Sequence, residues 1–240
     1  MPFRNSRFAR GGGPAGPSHN IYIGEGGSTF SIDHSISEQA LVGHEVKSRA
    51  ITTHVTRNLL KGSQDPYFVD SEEVNFAQAT GNGMDSHLDN NTLVKGVGSN
   101  QQQRSGWATD FEGGYNPALV YQILVNNNIF IDDDPTTTHW FMYIGPGPYG
   151  SGISIMANPS PPDTWNNNVF VGGPVSNPTP YGSYPFAAFR LNPAGSQYPD
   201  PGQVTEIGDV QYATRAAAGI TQMYPPPPGC TGAIGNMAVP

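Results

Sequence analysis

The stretch Asn126-Asn127-Asn128-Ile129-Phe130-Ile131-Asp132 contains the pattern that decides the fold class. A short run of β-branched and aromatic residues between Asn and Asp is typical of a β-strand bounded by turns. Similar runs, most of them next to Pro, Gly, Asn or Asp, occur in both directions along the chain: 21–23, 29–32, 46–55, 67–69, 74–77, 93–97, 139–144, 152–157, 168–171, 186–191, 203–207 and 210–212. Many short strands with turn signals between them predict a mainly β chain, an antiparallel β-sandwich or jelly roll.

One short helix is expected near 117–125. Asn116 can cap free amides and Pro117 fits the first position of a helix, although the residues that follow also have strand propensity. A doubly wound α/β fold is excluded, because it needs many more helices. No internal repeat of the length typical of solenoids is evident by inspection.

The composition favours a folded chain with long Gly/Pro/Asn-rich loops. Of 240 residues, 30 are Gly and 23 are Pro, and only 12% are charged. Charged residues are depleted at the cores of interfaces, so the surface is expected to contact other subunits. The predicted organisation is a flexible basic Gly/Pro arm at 1–20, a single β-rich domain at 21–223, and an extended, Pro-rich C-terminal strap at 224–240.

The charge is uneven along the chain. Residues 1–61 contain seven Lys/Arg and four Asp/Glu, whereas residues 62–240 contain four and fifteen. The acidic part is a poor nucleic-acid binder, since phosphate contacts need a basic surface. In the arm, Arg4, Arg7 and Arg10 are candidates for contact with nucleic acid or with a neighbouring subunit.

Several classes are excluded. No apolar run is long enough for a transmembrane helix. The start MPFRNSRFAR lacks the apolar region of a signal peptide, so secretion by a signal peptide is not expected. The single cysteine, Cys230, rules out an intrachain disulfide framework and is interpreted as inert.

Chemistry-bearing motifs are sparse, and the prediction is a non-enzyme with no catalytic residues, no metal site and no cofactor. Asp85-x-His87-x-Asp89 would place alternate ligands on one strand face, but is interpreted as a polar loop. Asp132–Asp134 followed by His139 could bind Ca²⁺ or serve a hydrolase, but is interpreted as an acidic turn. Gly145–Gly150 matches G-x-G-x-x-G, yet its prolines remove backbone donors. The six histidines form no H-E-x-x-H motif, and a His–carboxylate pair assembled by the fold stays open.

Aromatic residues occur in loops and at strand ends. Candidates for a subunit interface or for glycan contact are Tyr149, Trp165, Tyr181 and Tyr184. Tyr and Trp are enriched at protein interfaces, and aromatic rings near Asn and Asp also stack on sugars.

In composition and organisation the chain resembles structural proteins of bacteriophage or virus particles. The features are the Arg-bearing Gly/Pro arm at 4–17, the low Lys content, the Asn/Gly/Pro-rich loops and the run Pro225–Pro228. The resemblance implies a head (capsid) or tail subunit of the virion, assembled in the host cytoplasm without a membrane. Its partners would be other copies of itself and other virion proteins, with genome contact through the arm left open. The alternative is a receptor- or carbohydrate-binding β-domain such as a fibre tip.

Overall fold

The computed structural model describes residues 2–11, 19–24, 29–40, 43–62, 67–70, 84–95, 107–112, 121–132, 140–145, 163–172, 187–189, 204–230, 233–234 and 237–238. Most of them lie in three parallel sheets. The strands, numbered in chain order, are given below sheet by sheet. The described residues contain no α-helix, and none of their elements is a helix long and apolar enough to cross a bilayer.

The first sheet has seven strands, in the order β1 (Pro2–Arg4), β4 (Thr29–Asp33), β7 (Thr52–Thr56), β10 (Met84–Asp89), β13 (Tyr121–Asn126), β16 (Asp163–Asn166) and β19 (Val204–Ile207). The second has seven, in the order β2 (Arg7–Ala9), β5 (Ile36–Glu38), β8 (Leu59–Lys61), β11 (Thr92–Val94), β14 (Ile129–Asp132), β17 (Val169–Gly172) and β20 (Val210–Tyr212). The third has six, β3 (Ile21–Ile23), β6 (Val46–Ser48), β9 (Tyr67–Asp70), β12 (Trp107–Glu112), β15 (Trp140–Gly145) and β18 (Ala187–Phe189). A separate antiparallel pair is formed by β21 (Ala233–Ile234) and β22 (Met237–Ala238).

The chain visits the three sheets in turn, and each strand of these sheets pairs in parallel with the strand three elements later. Three strands therefore make one coil, and successive coils stack. This arrangement is a parallel β-helix, a solenoid in which each coil mainly contacts its two neighbours.

The prediction of an antiparallel sandwich or jelly roll is therefore wrong, although the mainly β content is confirmed. A short apolar run shows that a strand forms, but contains no information about the direction of its partner. Parallel partners need a crossover of a dozen or more residues, and here the long connections together with the strands of the other two sheets supply it.

The helix expected near 117–125 is also wrong where the structure describes it. Residues 121–126 form strand β13, with Ile123 and Val125 buried in the core. Their β-propensity decides the outcome, because alternate residues must face the core. The residues at 117–120 lie outside the described part. The predicted single strand at 46–55 is two strands, β6 and β7.

A two-residue turn joins the first sheet to the second in each complete coil. Its first residue has a positive φ, at Asn5, His34, Arg57, Asn90, Asn127, Asn167 and Gly208. Its second residue has a short polar side chain, at Ser6, Ser35, Asn58, Asn91, Asn128, Asn168 and Asp209. Consecutive turns are separated by 23 to 41 residues, and this unequal spacing hides the repeat from inspection of the sequence.

The second residues form a buried ladder. The Oδ1 atom of Asn128 accepts the backbone N–H of Asn91 at 2.8 Å, and its Nδ2 donates to Leu88 O at 2.7 Å and to Asn168 Oδ1 at 3.0 Å. Asn58, Asn91 and Asn168 make the corresponding bonds, and Asp209 ends the row. The ladder holds neighbouring coils in register.

The core lies inside the coils, where apolar residues from the sheets stack on one another. Phe30, Val55, Leu88 and Trp165 come from the first sheet, and the rings of Phe130 and Phe170 from the second stack at 4.9 Å. Along the first sheet, the successive partners are Ile32, Val55, Leu88, Val125 and Trp165, which form a continuous apolar column.

The segment after β20 covers the outer face of the second sheet. Ala218, Ile220, Tyr224 and Cys230 pack against an apolar outer stripe, formed by Ile36, Leu59, Val94, Ile131 and Val171. Lys61 Nζ lies 3.8 Å from the centre of the Tyr224 ring. Within the predicted C-terminal strap, residues 224–230 thus contact this chain's own sheet, and the other described residues, 233–234 and 237–238, form the antiparallel pair. At the other end, parts of the predicted arm form β1 and β2.

Candidate functional site

Two clusters of polar side chains lie on the outer faces of the first coils. The Tyr22 cluster, on and beside the third sheet, consists of His19, Tyr22, His44, Lys47 and Arg49. The His54 cluster, on the first sheet, consists of His54, Asp85, His87 and Asp89. Outward-facing residues have no role in the core, and recurring chemistry-bearing residues there indicate binding or catalysis.

Strand register assembles the Tyr22 cluster. Ile21 pairs with Val46 and Ile23 with Ser48, so Tyr22 and Lys47 are direct neighbours on the outer face. His19 and His44 each lie two residues before the strand of their coil. Arg49 follows β6, and its backbone N–H donates to Ile23 O at 2.9 Å. One short pairing therefore brings all five side chains together.

The two histidines stack, with ring centres 4.8 Å apart. The backbone N–H of His44 donates to His19 Nδ1 at 3.0 Å, and His44 Nδ1 lies 2.9 Å from the same atom. Because His19 Nδ1 accepts, the proton of His19 belongs on Nε2. Burial, together with His44, Lys47 and Arg49, lowers the pKa of His19 to about 3. His19 is thus a neutral imidazole at physiological pH.

Two cations flank the ring of Tyr22. Lys47 Nζ lies 5.9 Å and Arg49 Cζ 5.7 Å from its centre, within the range of cation–π contact. Tyr22 is 48% exposed, whereas Arg49 is buried. The exposed part of the ring can therefore contact a ligand close to both positive charges. This combination suits a flat ligand that has an anionic group.

A buried carboxylate supports the cluster from below. Glu45, next to His44, accepts hydrogen bonds from the Ser37 hydroxyl at 3.1 Å and the Ala40 N–H at 3.2 Å, and also from Asn20 Nδ2. Asn20 follows His19 in the sequence, and Glu45 follows His44. The hydrogen bond between Asn20 and Glu45 therefore fixes the backbone next to both histidines. The imidazoles are held in place without the ligand.

The His54 cluster also depends on register. His54 of β7 and His87 of β10 are direct partners, with ring centres 4.3 Å apart. Asp85 and Asp89 lie two residues on either side of His87 and share its face. His87 Nε2 is 2.9 Å from Asp85 Oδ1, and His87 Nδ1 is 4.0 Å from Asp89 Oδ2.

Burial and the neighbouring His87 lower the pKa of His54, against the opposite effect of Asp85 and Asp89. Burial raises the pKa of Asp89, although Asn126 Nδ2 donates to it at 2.9 Å. The ligand atoms of His54, Asp85 and His87 lie within 4.8 Å of one another. Two imidazoles and a carboxylate at this separation are a donor set that can hold a metal ion.

The pattern Asp85-x-His87-x-Asp89 has its alternate residues on one face of a strand. The interpretation of this segment as a loop was wrong, because it is strand β10. The missing member was His54, which only strand pairing supplies. The Tyr22 cluster was not identified at all. Its signal is the pair His19-x-Ile21-x-Ile23 and His44-x-Val46-x-Ser48, repeated 25 residues apart.

The three candidate arginines lie on the first coil and face the second. Arg7 pairs with Glu38, Arg4 Nε is 3.7 Å from Asp33 Oδ2, and Arg10 Nε donates to Gln39 Oε1 at 3.1 Å. The Arg4 side chain remains 75% exposed.

Of the candidate aromatic residues, Trp165 is 1% exposed and packs inside the coil. Tyr149, Tyr181 and Tyr184 lie outside the described residues, as do Asp133, Asp134, His139 and 146–150. Asp132 is buried, with Lys95 Nζ 3.7 Å from its Oδ2. Cys230 is a free, half-buried thiol whose pKa is raised by burial.

No protein-family model, no curated protein and no solved structure matches this chain.

Proposed function

We propose that this β-helix binds an acidic polysaccharide through the Tyr22 cluster. This proposal takes the carbohydrate-binding alternative from the sequence analysis and specifies that the carbohydrate is anionic. The observation that carries it is the half-exposed Tyr22 ring with the cationic groups of Lys47 and Arg49 within about 6 Å of its centre.

Each part of the cluster matches one part of a uronic-acid-type sugar. The apolar C–H face of a sugar ring packs against an aromatic ring, and a ring at the surface loses little conformational entropy on binding. A sugar carboxylate pairs with Lys and Arg through charge-assisted hydrogen bonds. The neutral imidazole of His19 adds a polar N–H group, at Nε2, to the site and adds no charge.

The solenoid favours a polymeric ligand. Strands of the third sheet stack at about 4.8 Å, which gives an extended surface rather than an enclosed pocket. A nucleic acid is the less favoured polyanion, because it needs a basic stripe, whereas the cluster places two cations, Lys47 and Arg49, around one ring.

The test is binding of polygalacturonate, measured by isothermal titration calorimetry. The matched ligand is the same polymer with its carboxylates methyl-esterified, which keeps the sugar and removes the charge. We expect binding to the first polymer only, weakening as salt rises because the contacts are partly exposed. Tyr22→Ala and Lys47→Ala should each weaken binding about tenfold to a hundredfold.

Arg4→Ala is the charge-matched control, because Arg4 is exposed on another sheet. It should leave the affinity within about twofold. Equal affinity for the esterified polymer, preference for a single-stranded oligonucleotide, or equal loss in the Arg4 variant would each contradict the proposal.

The second candidate is a structural subunit of a particle, as the resemblance implies. The specific observation in its favour is that β1 and β2 are the outermost strands of their sheets among the described residues. The outer edge of such a strand is a template for pairing with another chain. Light scattering across a concentration series should then give a mass above that of one chain, and deletion of 1–11 should reduce it. A monomer at every concentration would contradict this function.

A further inference from the structure

We propose that His54, Asp85 and His87 bind one divalent transition-metal ion of the zinc class. The site lies on the first sheet, away from the Tyr22 cluster on the third, and its test is independent of polysaccharide binding. The argument starts from the fold, because two adjacent parallel strands place the three side chains on one outer face.

The three ligand atoms are close enough to share an ion. They lie within 4.8 Å of one another, and His87 Nε2 is already 2.9 Å from Asp85 Oδ1. Zinc–ligand distances of about 2.0–2.2 Å place tetrahedral ligand atoms roughly 3.3–3.6 Å apart. Side-chain rotations that move the ligand atoms by about 1 Å therefore suffice to reach a tetrahedral zinc geometry, and the strands need not move.

His54 provides the second line of evidence. Its Nε2 atom is buried and has no hydrogen-bond partner among the described residues. A buried polar atom without a partner is costly and calls for an explanation, of which a bound ion is one. His54 belongs to the same three-residue group as Asp85 and His87.

The surroundings have the arrangement expected around a metal-bound imidazole. Metal-ligating histidines usually direct the second ring nitrogen at a carboxylate. In His87 that nitrogen is Nδ1, which faces Asp89 Oδ2 at 4.0 Å. Asn126 Nδ2 in turn donates to Asp89 Oδ1 at 2.9 Å and fixes that carboxylate.

The donor set selects the class of metal. Two imidazoles and one carboxylate suit Zn²⁺, Co²⁺ or Ni²⁺, whereas Ca²⁺ and Mg²⁺ prefer oxygen donors alone. Three protein ligands leave one tetrahedral position for water or a ligand. His54 also lines a cleft with Arg4, Asp33 and Arg57, so this position is expected to be reachable from solvent.

The experiment is calorimetric titration of the untagged, EDTA-dialysed full chain with ZnCl₂, and separately with CaCl₂. We expect one Zn²⁺ per chain and no comparable heat with Ca²⁺. His54→Asn and His87→Asn should each weaken Zn²⁺ binding at least about a hundredfold, and Asp89→Asn about tenfold to a hundredfold. A rise in the unfolding temperature with Zn²⁺, absent in the His54 and His87 variants, gives a second readout.

Two histidine variants serve as matched controls. His34→Asn removes a His–carboxylate pair at a positive-φ position that Asn tolerates, and His19→Asn tests the other histidine pair. Both should bind Zn²⁺ as the parent does. Circular dichroism confirms that every variant is folded. Retained Zn²⁺ binding in folded His54 and His87 variants, or its loss in His19→Asn, would overturn the proposal.

Discussion

At the scale of single residues, the most unusual side chain is His19. It accepts a hydrogen bond from the His44 amide on the same atom that faces the His44 ring, and it has Lys47 and Arg49 as further neighbours. Protonation would place a positive charge next to Lys47 and Arg49. A protonated Nδ1 also could not accept the hydrogen bond from the His44 amide. The position therefore selects the neutral imidazole.

This selection makes the stability of the protein pH-dependent in a defined window. The pKa of His19 is 6.5 in the unfolded chain and about 3 in the native protein. Above pH 6.5 both states are neutral there, and between pH 6.5 and 3 the unfolded chain binds a proton that the native protein does not. The free energy of unfolding should therefore fall as pH falls through this window.

The variant His19→Asn isolates this effect. Its side-chain oxygen can accept the His44 N–H without titrating. Chemical denaturation between pH 6.5 and 3 should show that the free energy of unfolding falls less steeply in the variant than in the parent. The carboxylates and the other histidines contribute equally in both proteins. Parallel pH profiles for the two proteins would refute the assignment.

At the scale of the element, the turn between the first and second sheets organises the molecule. Its first residue adopts a positive φ that Asn tolerates better than most residues. Its second residue turns inward and hydrogen-bonds to the coils on both sides. The ladder thus satisfies backbone groups at the corner, which would otherwise be buried without partners.

Asn128→Ala tests the ladder against its neighbour Asn127→Gly. The first change leaves the buried Asn91 amide without its acceptor and removes a donor from Leu88 O, at a cost of about 3–5 kcal/mol in the free energy of unfolding. The second removes an exposed side chain where φ is +56°, and should cost less than about 1 kcal/mol. Urea denaturation measures both, and similar losses in the two variants would count against the ladder.

Individual strands were predictable, but their pairing was not. Ile21–Ile23 and Val210–Tyr212 have the observed bounds already in the sequence pattern. The Asn-Asn pairs at 90–91 and 127–128 are the repeated corner of the coil, which becomes evident only when the strands are paired. Register also decides the sites, because His54 meets His87, and Tyr22 meets Lys47, only across paired strands.

At the scale of the whole molecule, the two ends of the solenoid differ. In the part of the chain that the structure describes, no strand pairs with the outer edges of β1 and β2 in the first coil, where Phe3 and Phe8 are in edge-to-face contact at 5.3 Å. At the other end the chain turns back, and residues up to Cys230 cover the outer stripe of the second sheet. An open edge at one end and a covered face elsewhere give any assembly a direction.

The unequal coils have a mechanical consequence. Hydrogen bonds between parallel strands run along the axis of the solenoid, so tension on its two ends detaches coils one after another. A detached coil of 23 residues releases about 80 Å of extended chain, and one of 41 residues about 140 Å. The length of each step under force therefore reports the number of residues in the coil that has come away.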